Sequence, residues 1–183
     1  MNVLVLNGSP RKNGNVSKIL RHELEKFLEK NPDSNVIRED VSDLKFDFCR
    51  GCMACRSKGT CVLPKDDAHR IETEIKDCDA IFVGTPVYWG NMNGKLKSLF
   101  DRLVGTLMGE SKHGIPIPLH KGKKAFIASS CTTPFPFNYI CGQSSGAVRA
   151  VKEVLKSSGF KIKGIINLAN TKKNSFNREE NQP

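Results

Sequence analysis

Met1-Asn2-Val3-Leu4-Val5-Leu6-Asn7-Gly8-Ser9-Pro10-Arg11-Lys12-Asn13-Gly14-Asn15-Val16-Ser17 opens the chain, and its reading decides the fold. Asn2 to Leu6 reads as a strand. From Gly14 to Lys30 the apolar residues Val16, Ile19, Leu20, Leu24, Phe27 and Leu28 recur at helical spacing. Strand, glycine turn and helix therefore follow one another directly. The alternation continues outward. Asn35–Glu39 is a second strand, and Asp66-Asp67 caps a helix that runs to about Lys76. Ala80–Gly84 is a third strand of the kind buried on both faces. Gly94–Leu107 is a helix with Leu96, Leu99, Phe100, Leu103, Val104 and Leu107 on one side. Lys124–Ser129 is a fourth strand, Gly142–Ser157 a fourth helix and Phe160–Leu168 a fifth strand, with Gly159 stopping the helix before it. Five strands separated by helices predict an α/β three-layer sandwich whose parallel sheet has the order 2-1-3-4-5. Ligands on such sheets lie at the carboxyl ends of the strands, which directs attention to the loops after strands one, three and four. Residues 1–169 read as one domain, and the polar segment 170–183 as a tail that frays.

Composition narrows the function classes. Of 183 residues, 38% are apolar and 26% charged, the balance of a soluble globular domain. No apolar run approaches the roughly 20 residues that span a bilayer, and the start of the chain has no leader-like pattern, so a cytoplasmic location is the default expectation. The net charge of +10 comes without a nucleic-acid motif, and aromatics, at 7%, do not interleave with the basic residues. His22, His69, His113 and His120 fall on predicted helix surfaces or loops and read as solvated. No paired-carboxylate or His/Asp arrangement stands out, so no catalytic side chain is expected. Cys78 reads as a small core residue.

The loop after strand one joins a strand to a helix N-terminus, which offers unpaired N–H groups and the positive dipole end to an anion. Ser9, Arg11, Asn15 and Ser17 add donors and charge that suit a phosphate monoester. The loop is neither a Walker A motif nor G-x-G-x-x-G. Its plainer reading is a glycine turn in which Asn15 or Ser17 caps the helix. After strand three, Pro86 stiffens a turn, Tyr88 and Trp89 suit a planar aromatic ligand, and Gly90 permits close backbone approach. Packing on a neighbouring helix or subunit is the plainer reading of those two rings.

Gly-Ser-Pro-Arg with Gly-Asn-x-Ser, Thr85-Pro86-Val87-Tyr88-Trp89-Gly90, Lys95-Leu96-Lys97, Phe100-Asp101-Arg102 and the acidic pair Asp66-Asp67 together resemble the NADPH-dependent FMN reductase family, a branch of the flavodoxin-like fold. The likeness runs from the first strand to about residue 102. It implies FMN as cofactor, with its phosphate on Ser9, Arg11, Asn15 and Ser17. The flavin ring would lie against Pro86, Val87, Tyr88, Trp89 and Gly90, with Ser130 and Cys131 on its other side. It also implies NAD(P)H as electron donor, a quinone, flavin or other small acceptor, and a homodimer or homotetramer whose partner borders the site. Pro134–Tyr139 would either cover a substrate pocket or simply pack.

Cys49, Cys52, Cys55 and Cys61 form a C-x2-C-x2-C-x5-C run. In a reducing compartment such a cluster more often binds metal or does redox chemistry than forms disulfides. The spacing is close to that of clustered iron–sulfur ligands. It resembles the iron–sulfur flavoproteins, a subgroup in which four such cysteines hold a [4Fe-4S] cluster. A cysteine-bearing loop without metal, as in cluster-free members of the broader family, and a structural zinc are the other readings. Two further functions stand beside the reductase: a flavodoxin-type electron carrier without nicotinamide turnover, against which the basic charge argues, and a flavin-free interaction module.

Overall fold

The computed structural model describes residues 1–176. Five parallel strands form the sheet: β1 (Asn2–Asn7), β2 (Asn35–Asp40), β3 (Ala80–Pro86), β6 (Lys124–Ser130) and β7 (Lys161–Leu168). Their order is β2-β1-β3-β6-β7. With the strands of the main sheet numbered alone, this is the predicted 2-1-3-4-5 arrangement of the flavodoxin-like fold. The two strands missing from that count, β4 (Met108–Glu110) and β5 (Pro116–Pro118), make a separate antiparallel pair that the sequence did not announce. Helices α1 (Asn15–Glu29), α3 (Asp67–Asp77), α4 (Gly94–Arg102) and α7 (Gln143–Ser157) make the crossovers, and α2 (Cys55–Lys58), α5 (Val104–Leu107) and α6 (Phe137–Ile140) are single turns.

The alternation of side chains along a strand sends neighbouring residues to opposite faces. Leu4, Leu6, Ile81 and Val83 join α3, α4 and α7 through Ile71, Ile75, Leu96, Leu99, Val151 and Leu155. Val3, Val5, Ala80 and Phe82 face α1 through Val16, Ile19, Leu20, Leu24 and Phe27. On that side Phe82 stacks on Phe126 at 4.4 Å between centroids, and Phe27 meets both rings edge-on.

Four expectations are corrected. The helix foreseen over Gly94–Leu107 breaks at Leu103, whose amide bonds the carbonyls of both Leu99 and Phe100. The break lets the Arg102 side chain, fully buried, reach Asp66. The tail does not fray at its start. Asn170 to Phe176 folds back, and Phe176 is buried in the α1 core; the rest of the predicted tail, 177–183, lies outside the described residues. Two of the four histidines are not solvated. His22 is buried because Phe176 covers the flank of α1 that helical periodicity reads as surface, with ring centroids 5.4 Å apart. His120 is buried against Phe160, and its Nε2 stands 2.9 Å from the Thr106 carbonyl. His69 is a helix cap, and His113 is exposed. Cys78 is a core residue, its thiol pushed up to about 11 by burial.

Candidate flavin site

The carboxyl ends of β1, β3 and β6 open onto a cleft of about 570 Å³. Its floor is the N-terminus of α1. Gly14 is the N-cap, no side chain caps this end, and no acidic residue occupies the first turn. Among the described residues the amides of Asn15, Val16 and Ser17 find no protein acceptor. Arg11 and Lys18 line the same cleft, and Arg11 forms no ion pair among the described residues. Lys12, next in the chain, is held away by Asp43 and Asp40. Three unpaired amides at a positive helix end, beside two cations, make a donor set for a dianionic phosphate monoester.

The serines shape this loop. Ser9 is buried, and its hydroxyl accepts the Arg11 amide at 3.2 Å. The Ser17 hydroxyl donates to the Arg11 carbonyl at 3.1 Å and accepts from Asn7 Nδ2 at 3.0 Å. It lines the smaller groove between α1 and β2 instead of the cleft. The plainer reading of Asn15 or Ser17 as the cap is not met, since neither side chain bonds the helix amides.

The loop after β3 is pinned to that after β6 by the Val87 amide on the Ser130 carbonyl, 2.9 Å. Tyr88 and Asn91 bond each other's backbone, closing a tight turn with Trp89 and Gly90 at positive φ (52° and 70°). The Trp89 and Gly90 amides therefore have no protein acceptor among the described residues. Gly146, in the first turn of α7, lies so close to the Gly90 carbonyl that a Cβ there would collide with it. Pro86, Val87, Tyr88 and Ser130 share the cleft with Ser9, Arg11 and Asn15. Trp89 is fully exposed beyond the rim, and Gly90 and Cys131 are off the wall; Cys131 is buried, with its amide on the Leu168 carbonyl.

Sequence reasoning missed Lys18, Thr132 and the returning segment, whose Thr171, Lys172 and Ser175 form one side of the cleft. Two signals were present. Lys18 stands three residues after Asn15, on one helix face. Phe176 is the single large apolar residue in the polar stretch after Asn170.

The cysteine segment lies elsewhere. Cys49 and Cys52 are exposed, Cys55 and Cys61 partly buried, and all four are free. Gly51 and Met53 turn the segment at positive φ (67° and 59°). Arg102 anchors its two ends: Nε donates to Cys61 Sγ at 3.1 Å, and Nη1 to the Asp47 carbonyl and Asp66, both at 2.7 Å. Burial alone would raise the Asp66 carboxyl, but Arg102 and then His69 hold it below the usual carboxylate range. Among the described residues no three His, Cys, Asp or Glu side chains gather closely enough to hold a metal ion. The four thiols are thus the right donors for a cluster in an arrangement that does not converge on one.

Residues 1–131 match the family of NADPH-dependent FMN reductases. An iron-sulfur flavoprotein of Archaeoglobus fulgidus is 34% identical over 120 residues, 63% of this chain and 52% of that protein. One from Methanosarcina thermophila is 36% identical over 104 residues, 57% of this chain and 53% of that protein. The matched region spans about half the length of these curated relatives. Among solved structures, an azoreductase from Bacillus anthracis superposes with a TM-score of 0.74 at 16% identity, over 93% of this chain and 87% of that one. The NAD(P)H:quinone oxidoreductase from Methanothermobacter marburgensis gives 0.68 at 19%, over 93% and 84%. At these identities the structures speak for the fold.

Proposed function

This chain belongs to the NADPH-dependent FMN reductase family, and from that premise we propose that it is an FMN-dependent oxidoreductase that takes electrons from NAD(P)H and delivers them to a quinone, flavin or other small acceptor. The observation that carries the reading is the N-terminus of α1, with its uncapped amides between Arg11 and Lys18. When bound, FMN supplies the redox chemistry: a ring that accepts hydride and releases electrons singly or in pairs. The protein's part is to hold and orient it. The Asn15, Val16 and Ser17 amides and Arg11 fix the phosphate, while Ser9 and Ser17 hold the loop that presents them. The Trp89 and Gly90 amides offer donors to the polar edge of the ring, and the Val87–Ser130 bond sets the spacing between the two loops. Trp89, Phe137, Tyr139 and Ile140 are exposed, and we read them as bordering a partner subunit in a homodimer or homotetramer.

The iron–sulfur flavoprotein reading is favoured by one specific observation, that curated relatives of 34–36% identity carry that name. Cys49, Cys52, Cys55 and Cys61 would be the ligands of a [4Fe-4S] cluster, and they would have to draw together from their present positions. Protein purified without oxygen tests both readings at once. Flavin absorption that bleaches on mixing with NADH or NADPH supports the reductase. Equimolar FMN that neither nicotinamide reduces marks a carrier, and protein that takes up no FMN removes the assignment. Four iron and four sulfide per chain, absent from a Cys52→Ala variant, establish the cluster.

A further inference from the structure

We propose, on the reading of the cleft as the seat of a flavin phosphate, that Asn170–Phe176 is a strap that retains FMN, with Lys172 as a third cation for the phosphate and Phe176 as the latch. Both ends of the segment are tied down. At its start the Asn170 and Thr171 amides donate to the carbonyls of Thr133 and Cys131, each at 3.1 Å, against the loop after β6. Asn170 makes the turn at a φ of 57°. At its end the Phe176 amide donates to Asn15 Oδ1 at 2.9 Å, and the Ser175 hydroxyl reaches the same atom at 3.2 Å. Lys18 Nζ donates to Ser175 Oγ at 3.2 Å. The strap therefore crosses from the β6 loop to the first turn of α1, and Thr171, Lys172 and Ser175 face the cleft on the way.

Its chemistry fits retention with exchange. Asn170–Ser175 is polar and gains little by docking, so closure depends on Phe176, which is buried against α1 and over His22. Closure also buries both His22 ring nitrogens, which have no partner among the described residues. A buried imidazole without partners opposes the latch. The strap is thus shut by one ring and loaded against it, which places its opening well below global unfolding. A phosphate on the α1 amides with Lys172 beside it leaves only after the strap lifts. Release is slowed more than capture.

The test uses the full chain loaded with FMN. Flavin release is followed by fluorescence after dilution, and affinities for FMN and for riboflavin, which has no phosphate, are measured in parallel. Phe176→Ala raises the FMN release rate roughly tenfold. Lys172→Ala weakens FMN roughly threefold, more at low salt than at high, and leaves riboflavin unchanged. Lys173→Ala removes the same charge one residue away, outside the cleft wall, and leaves both ligands unchanged. This exposed pair does not depend on the fold surviving loss of Phe176. Wild-type release rates in Phe176→Ala, or equal behaviour of Lys172→Ala and Lys173→Ala, overturn the strap and leave the functional reading standing. Wild-type protein that takes up no FMN overturns both.

Discussion

The N-termini of α1 and α3 differ in what satisfies them. At α3 the Asp66 side chain accepts the Ala68 amide, the His69 ring accepts the Asp66 amide, and Arg102 closes over the carboxylate. The protein supplies these partners itself, and the Lys45 carbonyl takes the Asp67 amide. At α1 the cap is a glycine, the first turn carries no acid, no side chain caps the first amides, and the cations Arg11 and Lys18 line the cleft beside them. Both ends share one backbone problem, the orphan amides of a helix start. Solving it internally gives stability, and leaving it open gives a place for an anion. Changes at α3 should therefore be read in folding, and changes at α1 in ligand affinity.

The largest break in that contrast comes from Asp66→Ala, which strands the buried Arg102 guanidinium and removes the cap. It should cost about 3–5 kcal/mol in urea unfolding, with FMN bound normally by whatever remains folded. Because the native state holds the Asp66 carboxyl below its usual range, its contribution is fully present above the unfolded value and fades as pH falls through the folded one. Acid titration of stability should accordingly lose part of its low-pH drop in Asp66→Asn. At α1, Asn15→Asp sharpens the contrast by giving opposite signs: the new charge suits the helix dipole and raises stability without ligand by about 0.3–1 kcal/mol. It repels a phosphate, so FMN affinity should fall roughly tenfold in the same protein, an energy near 1.4 kcal/mol. An effect smaller than that loss of affinity belongs to α4, where Asn93 caps the Lys95 and Leu96 amides. Asn93→Ala should cost about 1 kcal/mol in thermal or urea unfolding and spare the phosphate end of the cleft.

Most of the fold was legible because it rests on periodicity. Ala80–Gly84 reads as a central strand from its unbroken apolar run, and α1 from Val16, Ile19, Leu20, Leu24 and Phe27. The loop after β1 drew attention for a different reason, since Gly8–Ser17 joins a strand to a helix and carries donors and no acid. What stayed hidden depends on contacts distant in sequence. Nothing near Arg102 says that its charge is matched 36 residues away. His22 reads as surface until a ring 154 positions later is laid over it (176 − 22 = 154). The hydroxyl of Ser17 was placed by composition, but its direction is set by Asn7 across the loop.

The contact between Lys18 and Ser175 spans 157 positions. A ribosome makes the loop after β1 long before Asn170–Phe176, which lies on the opposite side of the cleft. While translation proceeds, β1 and α1 can form and pair with β3, yet the cleft stays one wall short until residue 176 clears the exit tunnel. A ligand that touches both walls therefore meets a complete cleft only after Phe176 has been made. Until then the bare amides of α1 face solvent.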